Sequence, residues 1–151
     1  MAHDARAVAN YFLDKARESG EFLSHLKLQK LVFFAHGWTL ALTEKPLIKE
    51  PVEAWEYGPV IRTVFNEFKR FGGGPIIVEN GKHRADLTDQ ERRIIDRIWE
   101  LYGSLKAFQL SNLTHLEGAP WRIARERGDG DIPNSEIMDY FKGIISNGKK
   151  S

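Results

Sequence analysis

Between Ser24 and Gly72 the chain carries two apolar helical patterns around a short aromatic segment. In the first, Leu28, Leu31, Val32, Ala35, Trp38 and Leu42 recur at three- and four-residue steps, the period of one helix face. Phe33 and Phe34 widen that face, so the spacing predicts a helix over about 25–42 that lies centrally. At 1.5 Å per residue such a helix is roughly 25 Å long, about the width of a small domain. Ser24 suits its N-cap, because a serine hydroxyl accepts from a free N–H of the first turn. Val52 and Ala54 alternate with Glu53 and lead into Trp55–Tyr57, which suggests a strand over about 52–57. Gly58-Pro59 is expected to end it, with Pro59 opening the next helix. Ile61, Val64, Phe65, Phe68 and Phe71 mark that helix, and Gly72-Gly73-Gly74-Pro75 stops it.

Upstream, Asp4 caps a helix with Val8, Phe12 and Ala16 on one side, closed by Gly20. Downstream, Ile76-Ile77-Val78, the Asn80-Gly81 turn and the stretch to Leu87 suggest a hairpin over about 76–79 and 82–87. Thr88-Asp89-Gln90-Glu91 is a full capping box. The helix behind it buries Ile94, Ile95, Ile98, Leu101 and Tyr102, with Asp89–Arg93 and Arg92–Asp96 as surface pairs. Ser104 caps a looser pattern through Phe108, Leu110, Leu113 and Leu116 to about Glu117. Gly118-Ala119-Pro120 breaks it before a short helix from Trp121 to Arg127. Ile137, Met138, Phe141, Ile144 and Ile145 define a last amphipathic helix. The sum is an α+β fold, predominantly helical: five to six helices around a central apolar one, with a small antiparallel sheet. No repeat or long linker interrupts it, so residues 1–151 are expected to form one domain, its core at about 4–146.

Composition narrows the chemistry. The 22 basic residues nearly balance the 21 acidic ones, for a formal net charge of +1. That total gives no support for the dominant basic footprint of a nucleic-acid binder. The absence of cysteine removes disulfides, thiolate metal sites and a cysteine nucleophile. No apolar run approaches the 18 or so residues a membrane span needs, and the N-terminal stretch lacks a signal-peptide layout. A cytoplasmic protein is expected. The glycine run lacks the GK[ST] ending of a phosphate loop, and no cofactor is implied.

LKLQKLVFFAHGWTLAL (Leu26–Leu42), followed by EAWEYGPVIRTVFNEFKRFG (Glu53–Gly72), resembles the Panacea domain, the SocA-like antitoxin family of phage-associated and toxin–antitoxin loci. LSNLTHLEGAPW (Leu110–Trp121) matches that family's Thr-His and Pro-Trp pattern. The resemblance runs from about Asp4 to Phe141. It implies a small helical domain that neutralises a cognate toxin by binding it. It also brings the narrower expectation of an adaptor that hands the toxin to a cytoplasmic protease.

The candidate partner-contact residues are His36, Trp38, Trp55, Tyr57, His115 and Trp121. Tryptophan and tyrosine suit a core when their polar tips are bonded, and they also dominate interface hot spots. His36, amid apolar neighbours, reads first as a hydrogen-bonded structural histidine and second as a polar anchor in a partner groove. His115 either ties its loop to the body or, with Ser111 four residues before it, serves a hydrolase. The five histidines lack an HxxxH or HExxH spacing, so no metal site is assigned; with no orienting acid or oxyanion donors evident beside Ser111 and His115, no catalytic residue is assigned either. Lys27, Lys30, Arg62, Lys69 and Arg70 read as ordinary surface charge. A nucleic-acid-binding regulator is the alternative, its helix-turn-helix formed by the first two helices, although the second is too apolar for a groove. Amphipathic helices leave a homodimer open.

Overall fold

The computed structural model describes residues 2–78, 81–116 and 118–150. Its elements run α1 (Ala5–Glu18), α2 (His25–Thr43), β1 (Val52–Trp55), β2 (Gly58–Val60), α3 (Arg62–Phe68) with a 3-10 turn (Lys69–Phe71), α4 (Asp89–Tyr102), α5 (Ala107–Thr114), α6 (Pro120–Arg127), β3 (Asp131–Ile132) and α7 (Asn134–Lys150).

Helix α2 is the axis. Leu28 through Gly37 are buried without a break, so no side of this stretch faces water. Helices α7, α4, α1, α5 and α3 and strand β2 all pack on it. Ser24 caps it as expected, its hydroxyl accepting from Lys27 N–H at 3.2 Å. The position facing α7 is Gly37, where any Cβ would run into the Phe141 ring. Phe141 is fully buried and meets Phe33 and Phe34 edge-on, at 5.9 and 6.0 Å between ring centres.

Local signals also set the starts of α1 and α4. Asp4 caps α1 by accepting from Arg6 N–H, and the Arg6 guanidinium holds its carboxyl down to about 2. The Thr88–Glu91 capping box is complete, with Glu91 N–H donating to Thr88 Oγ1 at 3.0 Å and Thr88 N–H to Glu91 Oε1 at 2.8 Å. Thr88→Ala is expected to cost about 1 kcal/mol, read as a lower urea midpoint at unchanged slope. Asp96 pairs with α1, not with Arg92: Tyr11 Oη donates to it at 2.7 Å and Lys15 reaches it at 3.0 Å. Arg92 pairs with Asp89 instead.

The sheet departs from the sequence expectation. It is antiparallel with order β2-β1-β3. Gly58 and Pro59 belong to β2, paired with Trp55 and Ala54, and do not start a helix. The third strand is Asp131–Ile132, set against Glu53 and Val52. Residues 76–78 and 82–87 are not strands, because their backbone and neighbours are engaged otherwise. Ile76 N–H donates to Leu23 O, and the His83 carbonyl accepts from Asn10 Nδ2 at 2.9 Å. Glu79 and Asn80 of the expected hairpin, and the expected helix end at Glu117, lie outside the described residues. Ser104 does not cap α5; Lys106 does, its N–H donating to Gln109 Oε1 at 2.7 Å. Leu101, Phe108 and Leu116, expected inside, are exposed.

Candidate functional site

The β1–β2 turn, Glu56–Tyr57, is held from both sides. Trp121, at the start of α6, donates its indole N–H to Trp55 O at 2.6 Å. His115 Nε2 lies 3.2 Å from Tyr57 O. The His115 and Trp121 rings stack at 4.1 Å with 19° between planes. One clamp therefore grips two carbonyls of the turn, and the Thr-His and Pro-Trp pattern supplies both jaws. The tip it presents is Tyr57, 75% exposed. Beside the tip, Trp55 packs on Phe65 at 5.0 Å and carries the Arg62 guanidinium over its face at 5.4 Å. Glu53 fixes both, accepting from Trp55 Nε1 at 3.2 Å and from Arg62 at 2.7 Å. The Arg62 guanidinium holds the Glu53 carboxyl below its usual range.

Under the turn lies a cavity of about 580 Å³, walled by the first turns of α2, the hairpin, Phe65 and the Gly72-Gly73 bend. A volume of that size suits a small ligand or an inserted side chain. Lys30, 1% exposed, lines it and makes one long hydrogen bond, 3.5 Å to Pro59 O. Burial pulls its ammonium down to about 8, because a low-dielectric wall penalises the charged form. His25 also lines the cavity; its Nε2 is buried without a partner, and burial lowers its pKa. Gln29 is committed to structure: its amide gives to Ile61 O and takes from Ile61 N–H, both at 3.0 Å. That pair anchors the exit of β2 to α2.

Four of the six candidate contact residues thus come together: Trp55, Tyr57, His115 and Trp121. Trp38 does not join them; it lines a separate hollow against α4 with Leu42, Arg93 and Arg97. His36 is fully buried and offers nothing to a partner surface. Its Nδ1 accepts from Ile48 N–H at 3.4 Å, so Nε2 carries the proton and gives it to Asn134 Oδ1 at 2.9 Å. His115 bonds the turn carbonyl and not Ser111, whose described contact to His115 is through the backbone. Helix α2, the reading helix of the helix-turn-helix alternative, is enclosed. Lys30 lies inside the fold and not on the surface that its charge suggests. The missed signal is that a helix apolar all round buries its polar positions too.

The antitoxin SocA-like, Panacea domain family matches residues 28–122. The chain belongs to this family. Antitoxin SocA of Caulobacter vibrioides is 37% identical over 130 residues, covering 80% of this chain and 69% of that protein. No solved structure matches. The Panacea match takes in Lys30, Trp55, Tyr57, His115 and Trp121, so the clamp and the cavity's lysine lie within the family region. Helix α1 and helix α7 lie outside it. Among the described residues of this Panacea protein, no helix is long and apolar enough to cross a membrane.

Proposed function

We propose that the chain acts in the cytoplasm as a single-domain antitoxin that neutralises a cognate toxin by direct protein binding, with the clamped β1–β2 turn as its contact face. The supporting observation is Tyr57, an exposed aromatic ring on a turn fixed by Trp121 and His115. A pre-ordered aromatic loses little entropy on binding, which is why such residues make hot spots. No bond is made or broken in this role. The match to a protein named as an antitoxin agrees with it.

The test is co-expression with the product of the adjacent gene. Rescue of growth and co-purification are expected. Tyr57→Ala should weaken the complex by about 2 kcal/mol, roughly 30-fold, with unfolding stability unchanged because the ring is exposed. Undiminished affinity in that variant would move the contact face elsewhere. Failure to rescue against any neighbouring gene product would sink the antitoxin role. The adaptor version requires more: toxin half-life must shorten when this chain is present in cells with an intact protease.

A further inference from the structure

Among the described residues Lys30 is a cation without a counterion, and its single hydrogen bond there is long. Its neighbour at the turn is Gly58, at φ +132, where a Cβ would occupy the space of the ammonium. The hairpin therefore keeps this position clear for Nζ. The rest of the wall is chiefly apolar, with Leu26, Trp55, Tyr57 and Phe65, and its carboxylate, Glu56, is exposed to solvent at the turn. Among the described residues of the same wall, His25 Nε2 is a buried polar atom without a partner. A desolvated ammonium with spare donors is most stabilised by an anion that also fills the surrounding apolar space.

We propose that the cavity beneath the β1–β2 turn is a receptor site for an apolar carboxylate, with the carboxylate on the Lys30 ammonium and an aromatic or branched hydrocarbon body against Trp55, Phe65 and Leu26. The carboxylate supplies the charge-assisted hydrogen bonds that Pro59 O alone does not. At neutral pH the lysine is mainly charged, since burial leaves its pKa at about 8. An amide of the same shape gains the apolar contacts and not the ion pair. The free acid and the C-terminal carboxylate of a peptide share this chemistry.

Two matched probe pairs separate these sources: 3-phenylpropionate against 3-phenylpropanamide, and a hexapeptide ending in leucine with a free or an amidated C-terminus. Affinities are read by calorimetry and by NMR shifts of His25 and Lys30 in the full chain. The expected result is a preference for the carboxylate of about 10-fold or more in at least one pair, lost in Lys30→Met. The pair that shows it identifies the source. Equal affinity for acid and amide in both pairs overturns the proposal, as does a preference that survives Lys30→Met. The wild-type comparison needs no variant, so it stands even if Lys30→Met does not fold. Both readouts are independent of any toxin, so a failure here leaves the Tyr57 test untouched.

Discussion

Phe141→Ala is expected to destabilise the fold by about 3–5 kcal/mol. The ring is fully buried where α7 crosses α2, edge-on to Phe33, Phe34 and Tyr140. Removing it loses the transfer energy of a whole phenyl group and leaves a hole that three aromatic neighbours cannot close without leaving their rotamers. Domains of this kind are stable by only about 5–15 kcal/mol, so about a fifth of the total or more is at stake. The measurement is denaturant unfolding, with a lower midpoint at unchanged slope. Gly37 supplies the reciprocal test. Alanine in a helix normally gains about 1 kcal/mol over glycine. At Gly37 the added methyl meets the Phe141 ring, and overpacking of about 1–3 kcal/mol reverses the gain. In the Phe141→Ala background the same Gly37→Ala change should become stabilising. Two substitutions in contact then fail to add. A stabilising Gly37→Ala in the otherwise native chain would mean that the two helices stand further apart than described.

Acid is expected to unfold the protein in part through His36. Inside the fold its imidazole is neutral, and burial pushes its pKa down to about 4 against the Asn134 bond, which raises it. In the unfolded chain it titrates near its ordinary value of about 6.5. Between those values the unfolded state binds a proton that the folded state does not, so stability falls as pH falls through that window. The shift corresponds to on the order of 3 kcal/mol, fully present above about pH 6.5 and lost near pH 4. Carboxylates held down by partners, such as Asp4 and Glu53, pull in the same direction at lower pH. A difference measurement separates them. His36→Gln keeps a polar group at the site and removes the titration. Between pH 7 and pH 4 the native chain should lose about 3 kcal/mol more than this variant. Parallel curves would show that His36 takes up its proton inside the fold as readily as in water.

What was readable without coordinates was local. Asp4, Ser24 and the Thr88–Glu91 box announce helix starts because a cap is a bond between residues two or three apart. The run from Leu31 to Ala35 announces a central helix because a continuous apolar surface has to be covered on every side. Of the six candidate residues within the family motifs, the fold gathers Trp55, Tyr57, His115 and Trp121, and places His36 and Trp38 elsewhere.

The strands were legible only in part. Ile76-Ile77-Val78 has the composition of a strand, yet Ile76 spends its N–H on Leu23 O and Ile77 faces solvent. Asp131–Ile132 lacks that composition and pairs with β1 because α6 and α7 deliver it there. Lys30 looks like a surface residue by its charge; only the hairpin folding over α2 removes it from water.

By itself, then, the sequence determined where α1, α2 and α4 begin, which helix is central, and the family. The tertiary structure decided which backbones pair, which aromatic residues face out and which charged side chains are buried, as with Lys30. Caps and periodicity are short-range energies written into neighbouring residues. Pairing and burial depend on what the rest of the chain brings to the same place.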